Sequence, residues 1–157
     1  MKIAIGSDHA GFPLKAPVIA LLREVGHDVQ DFGSFTPDPV DFPDIATLVC
    51  EDVRHGGAER GIMVCGTGVG ACIAANKVPG IRAAVCHDVY SAHQSVEHDD
   101  VNVLCLGAQI VGIKLVEDIL RAFLNARFST EVHFNRRVEK LKLMELKAAR
   151  ELMNEVH

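Results

Sequence analysis

The stretch Gly61-Ile-Met-Val-Cys-Gly-Thr-Gly-Val-Gly70 decides how this chain is read. Ile62 to Val64 is a short apolar run that predicts a buried strand, and Cys65 closes it. Glycines at 66, 68 and 70 predict a loop, and the alanine-rich segment 71–75 predicts a helix. A strand, a glycine loop and a helix start bring bare backbone N–H groups to one point, and that point attracts anions. The Cys65 thiol stands at its lip, where a favoured thiolate is expected.

Working outward, Lys2 to Gly6 predicts a first strand ending at Ser7-Asp8-His9-Ala10-Gly11, and Pro13 suits the first turn of the helix that follows. Leu14, Val18, Leu21, Leu22 and Val25 recur at helical spacing. Val29 to Phe32 predicts a second strand, and prolines 37, 39 and 43 predict a loop. Asp44 is the expected cap of a helix whose apolar face is Ile45, Leu48, Val49 and Val53. Beyond the glycine loop, Ile81 to Cys86 predicts strand four. Asp88 should cap a His-rich helix to about Glu97, and Val101 to Leu106 predicts strand five. Gly112 to Phe128 predicts an amphipathic helix. Strands alternating with helices predict an α/β fold, a doubly wound five-stranded parallel sheet with helices on both faces and the order 2-1-3-4-5. Residues 1–128 form the α/β domain, and 129–157 a helical extension of that domain. The extension is too long for so small a sheet to cover. It is expected to touch another subunit, against the simpler reading of a solvated terminal helix.

Composition excludes several classes. The 157 residues fit one domain, and 48% hydrophobic against 24% charged residues argues against disorder. A formal net charge of −5 and a single Tyr with no Trp argue against a nucleic-acid partner. No apolar run approaches the ~20 residues of a membrane span, so no membrane partner is expected. Met1 to Gly6 is too soon punctuated for a signal peptide. Five cysteines without a CxxC pair predict reduced thiols in a cytoplasmic protein, with no disulfide framework or zinc site.

In the expected sheet, the chain reverses direction between strands one and three, and ligands bind at the carboxyl ends flanking such a point. Asp8 and His9 would meet Cys65, Gly66, Thr67 and Gly68 there. Each also has a plainer reading: Asp8 as a helix cap, Cys65 as a small buried residue, His98 as a surface histidine. Gly-x-Gly-x-Gly alone is a weak signal. It is neither a phosphate-binding Gly-Lys-Ser/Thr loop nor a dinucleotide fingerprint. Glu97-His98-Asp99-Asp100 precedes strand five and therefore lies at the opposite, amino edge. It can join the crevice only if a neighbouring subunit presents it.

Taken together, Gly6-Ser-Asp-His-Ala-Gly-Phe12, Val40-Asp-Phe-Pro-Asp44, Cys65 to Gly70, Ala74 to Ala84 and His98-Asp-Asp-Val-Asn-Val-Leu104 resemble the type B ribose-5-phosphate isomerases and the related galactose-6-phosphate isomerase subunits. The resemblance runs from Met1 to about Phe128. It implies an aldose–ketose isomerase acting through an enediolate, ribose 5-phosphate to ribulose 5-phosphate by default, in a homodimer or homotetramer with shared active sites. It implies Cys65 as the base at C1 and C2, His98 as the ring opener, Asp8 moving protons on the sugar oxygens, and Thr67 with the amides of Gly66, Gly68, Val69 and Gly70 on the enediolate. Substrate-binding candidates are His9, Asp99, Gln109, His133, Arg136 and Arg137. No metal or cofactor is expected. Residue 71 is Ala where some relatives place a Glu base, which fits the cysteine branch.

The departures lie in the phosphate-holding arm. Asp99 stands where the family has Asn, Gln109 where it has Arg, and Val132 where the first Arg of the C-terminal pattern belongs; sliding the tail by one residue pairs His133 with that Arg and Arg137, instead of Arg136, with the second. Losing two guanidiniums and adding a carboxylate weakens anion binding. The alternatives are a different sugar phosphate (tetrose, allose or galactose phosphate) or a non-catalytic phosphometabolite-binding protein.

Overall fold

The structure is a computed structural model describing residues 1–155. Parallel strands β1 (Lys2–Ser7), β2 (Asp28–Asp31), β3 (Arg60–Cys65), β4 (Ala83–Val85) and β5 (Val103–Gly107) form a single five-stranded sheet. Between and after them run α1 (Phe12–Glu24), α2 (Phe42–Arg54), α3 (Val69–Ala75), α4 (Val89–Asp99), α5 (Ile113–Asn125) and α6 (Val132–Glu155). Strand side chains alternate between two apolar layers, as the period of two requires. Ile3, Ile5, Ile62, Val64, Leu104 and Leu106 pack with α1, α4 and α5. Ala4, Met63, Val103 and Cys105 pack with α2 and α3. This is the doubly wound α/β architecture the sequence predicts.

The strand order departs from expectation: it is β2-β1-β3-β5-β4, with the last two exchanged. The burial of the two strands explains it. All five residues of β5 are buried, whereas the three of β4 are only partly covered. The more apolar strand takes the interior position, and the short one becomes the edge. Polar groups hold that edge in register. Asn102 accepts from the Arg82 N–H at 2.8 Å, and the Arg82 guanidinium reaches the Asp100 carboxylate at 2.6 Å.

Local signals are kept with one correction. Asp88 caps α4, accepting from the Ser91 N–H at 2.7 Å. Asp44 is not a cap: α2 starts at Phe42, its cap position is Asp41, and Asp44 lies in the first turn. Pro43 belongs to that turn, where its missing N–H costs nothing, so the helix begins inside the proline-dense segment. At the far end, the helix α6 buries none of its residues. Leu143, Met144, Leu146, Leu152 and Met153 stand exposed along it. Residues 156 and 157 of the expected tail lie outside the described residues. No described helix is long and apolar enough to cross a membrane.

Candidate active site

Three loops meet at the carboxyl edge of the sheet. They follow β1, β3 and β5, which are adjacent in the observed order. Asp8 is 5% exposed and its two oxygens are both used. Oδ1 accepts from the Gly11 N–H at 2.8 Å, and Oδ2 accepts from the Cys65 thiol at 3.1 Å. The first bond needs the chain to fold tightly at Gly11, where a Cβ would meet the Val64 carbonyl oxygen at 2.0 Å. Only glycine lets α1 start this close to β3. His9, next in sequence, points outward and accepts from the Val40 N–H at 3.4 Å.

The glycine loop is shaped by its neighbours. Gly68 has φ +82°, the left-handed region, immediately before α3. The Ala108 N–H donates to the Cys65 carbonyl at 2.8 Å, and the Gln109 N–H to Gly66 at 3.0 Å. A Cβ on Gly66 would stand 3.3 Å from Gln109 Oε1, so the Gln109 amide lies over the loop. Thr67 is exposed at the tip, its hydroxyl 3.4 Å from the Val69 N–H, and Gly70 packs on Phe42. Asp8, Cys65, Thr67, the loop glycines and Gln109 are thus brought to one crevice, with His9 at its rim.

The expected thiolate is reversed. Burial pushes the Cys65 thiol above its ordinary value, and the Asp8 carboxylate adds to this by accepting the thiol hydrogen bond and by its charge. The backbone N–H groups of Gly68 and Ala71 act in the opposite, anion-favouring direction but are outweighed. The loop turns backbone N–H groups toward the sulfur, yet burial and Asp8 together hold the thiol above its ordinary value.

His98, Asp99, His133, Arg136 and Arg137 do not join this crevice. α4 runs back from the carboxyl edge, so His98 and Asp99 near its end lie at the amino edge, where the sequence placed them. The His98 ring stacks on Phe134 of α6, centroids 4.0 Å apart and planes within 20°. His133 leans on the same ring, and the Arg137 guanidinium lies 5.6 Å from its centroid. Arg137 therefore shares the His98 cluster, whereas Arg136 lines an open groove with Thr130, Val132 and Glu139. Asp99 is exposed and lines a different groove, with Arg82, Val138 and Lys142.

Two features escaped the sequence reading. Lys15 is 4% exposed, and its ammonium donates to Asp31 at 2.7 Å and to the Ser34 carbonyl at 2.6 Å. Ser34 and Gly33 exchange backbone bonds with Ser7, both at 2.7 Å, so this pair secures the segment leading into Asp8. The signal was a lysine among Leu14, Val18 and Leu22 on the buried face of α1. His87 is the second: its Nε2 accepts from the Gly107 N–H at 2.9 Å, beside the loop that covers Thr67. A histidine one residue past an apolar run gave no sign of that.

Comparison with known proteins agrees with this geometry. Residues 3–141 match the Ribose/Galactose Isomerase family. Ribose-5-phosphate isomerase B of Escherichia coli K12 is 44% identical over 144 residues, covering 92% of this chain and 96% of that protein. D-erythrulose-4-phosphate isomerase of Pectobacterium atrosepticum is 42% identical over 131 residues, covering 82% and 85%. Among solved structures, ribose-5-phosphate isomerase B of Clostridium thermocellum aligns with a TM-score of 0.92 at 47% identity, covering 94% of this chain and 99% of that one. The enzyme of Mycoplasma genitalium, solved with bound ribulose-5-phosphate, gives 0.86 at 38% identity, covering 92% and 95%. With motifs, sheet and overall alignment in agreement, the chain belongs to the ribose/galactose isomerase family.

Proposed function

We propose that this sugar-phosphate isomerase interconverts ribose 5-phosphate and ribulose 5-phosphate, with Cys65 and Asp8 as its proton-transfer pair. The observation that carries the reading is the 3.1 Å hydrogen bond from the Cys65 thiol to Asp8, beside a loop of convergent N–H groups. In the resting site Cys65 holds the proton. As substrate enters, that proton passes to Asp8 along the existing bond. The thiolate then takes the C2 proton of the open-chain aldose, the C–H electrons form the C1–C2 double bond, and the carbonyl pair moves onto O1. Asp8 returns its proton to O1 as charge develops there, while Thr67 and the amides of residues 66–70 stabilise the oxyanion. Cys65 next delivers its proton to C1 and Asp8 removes that of O2, which gives the ketose and leaves the thiolate and protonated Asp8. The proton returns from Asp8 to Cys65, and the pair is reset with one proton.

In this reading His98 opens the furanose ring from a second copy of the chain, because within one chain it lies at the opposite edge from Cys65. His133 and Arg137 arrive with it toward the phosphate, and His9, Gln109 and Asp99 complete the substrate contacts. The protein is then a cytoplasmic homodimer, or a pair of such dimers, serving the pentose phosphate pathway. The assay is conversion of ribose 5-phosphate. Cys65→Ser and His98→Asn should each lose ~10²-fold or more. Mixed and reassociated, the two variants should regain about a quarter of wild-type activity, since half the dimers are hybrids with one intact site. Wild-type protein inactive on ribose 5-phosphate, or variants that never complement, would overturn the substrate and the shared-site assignments respectively. A second reading, isomerisation of a tetrose or other sugar phosphate, draws on the neutral Gln109 and the carboxylate of Asp99 where the resemblance calls for Arg and Asn. Turnover of erythrose 4-phosphate ahead of ribose 5-phosphate would favour it.

A further inference from the structure

His98 is exposed enough to meet a ligand, yet it makes no hydrogen bond among the described residues. Its one carboxylate neighbour is Glu97, at 3.9 Å. An imidazole on a helix end with no hydrogen-bonded anchor turns freely about its terminal torsion, which is broad for this residue. What limits it here is the face of Phe134, 4.0 Å away and within 20° of parallel. Phe134 is itself fixed. The Ser129 N–H donates to the Glu97 carbonyl at 2.9 Å, tying the approach to α6 onto the last turn of α4. Asn135 then donates to the carbonyls of Ser129 and Glu131, each at 3.0 Å, which closes the first turn of α6. His133 flanks the same ring at a 44° tilt, with the Arg137 guanidinium within cation–π range.

We infer that Phe134 is a positioning residue: its ring face sets the plane of His98, so that ring opening depends on Phe134 while proton transfer between C1 and C2 does not. This rests on the reading of His98 given above. The chemistry separates the two steps. Ribose 5-phosphate is largely a furanose and must be opened before its C2 proton becomes acidic. Ribulose 5-phosphate cannot close a furanose ring, because the oxygen that would do so carries the phosphate. Exchange of its C1 hydrogen with solvent needs Cys65, Asp8 and the enediolate-stabilising loop, but no ring-opening group. A small misplacement of a catalytic group is enough to cost rate heavily.

The experiment measures two rates in heavy water on the full chain. One is net conversion of ribose 5-phosphate; the other is deuterium entry at C1 of ribulose 5-phosphate. Phe134→Leu should slow the first ~10-fold or more and leave the second within ~2-fold, with the loss in kcat and not in KM. Phe134→Tyr, which keeps the ring face, should restore conversion. Retained exchange also reports that the variant is folded. Equal loss of both rates, no loss of either, or failure of Tyr to rescue would overturn the role of Phe134. His98→Asn serves as the reference. Should it show no split between the two rates, the assignment of His98 falls instead, and the two failures are told apart.

Discussion

Alkylation at neutral pH should reach Cys72 before Cys65, although Cys65 is the proposed base. The neighbouring Cys105 side chain, the Val85 backbone and Asn76, whose amide donates to the sulfur at 3.5 Å, bring Cys72 down to about 7 against the effect of burial. About half of it is therefore thiolate at pH 7. A thiol at the ordinary value is only ~3% ionised there, and Cys65 is held above that value by burial and by Asp8. Thiolate fraction alone favours Cys72 by ~15-fold. Its weaker intrinsic nucleophilicity returns ~5-fold, leaving at least ~3-fold. Burial widens the gap, since Cys65 is 8% exposed and Cys72 is only half-buried. The assay is timed iodoacetamide labelling followed by fragmentation of the tryptic peptide 61–77, which carries both thiols. Asp8→Asn removes the acceptor and the charge that raise Cys65, so its labelling midpoint should move to lower pH while isomerase activity falls. Equal or faster labelling of Cys65 at pH 7, or a midpoint in Asp8→Asn that stays put or rises, would refute the assignment of one shared proton to this pair.

Two further perturbations test the scaffold beneath the site. Lys15→Met leaves the Ser34 carbonyl without its donor and Asp31 with only the Gly33 N–H at 2.9 Å, a broken ion pair of which Asp31 is a quarter exposed. It should cost about 2–4 kcal/mol in urea unfolding, below the full penalty for a dry pair, and adding Asp31→Leu should cost less than the sum. Strict additivity would mean the two side chains do not act together. Gly11→Ala forces a methyl into the Val64 carbonyl and should lower stability by ~1–3 kcal/mol with a larger fall in activity, because relief of the clash moves the backbone N–H that Asp8 accepts from. An unchanged melting temperature would show that α1 can start further from β3 than it does here.

Which parts of this molecule could be read from its sequence follows from the range of the forces involved. Strand existence, helix faces and the Asp88 cap are local, so periodicity and residue type suffice. The crevice was legible because β1 and β3 both end in polar loops and the 2-1-3 start of the strand order, kept in the structure, sets them side by side. The start of α2 was misjudged because Pro43 reads equally as loop and as first helical turn, and the neighbouring Phe42, packed on Gly70, decides between them. The protonation of Cys65 needed the distance to Asp8, 57 positions away in the chain. Phe134 on His98 needed the path of a tail that no periodicity assigns to α4.

The exchange of β4 and β5 has a consequence for the site itself. Strands lie ~4.8 Å apart, so in the expected order the end of β5 would stand ~10 Å from β3, with Cys86 and His87 beside the glycine loop instead. In the observed order Gly107 packs directly on Thr67, where a Cβ would meet its carbonyl carbon at 2.8 Å, and Gln109 reaches over Gly66. His87 is one strand removed, but it supports that same approach through the Gly107 N–H. The residue standing where the resemblance calls for an arginine is therefore in contact with the loop because of strand order, not because of motif spacing. The amino edge stays out of reach by the same geometry. A strand of five or six residues spans ~17–20 Å, and no side chain of one chain bridges it. In the shared-site reading proposed above, a single copy carries two half-sites facing opposite ways, and a two-fold pairing that completes one of them completes the other by symmetry.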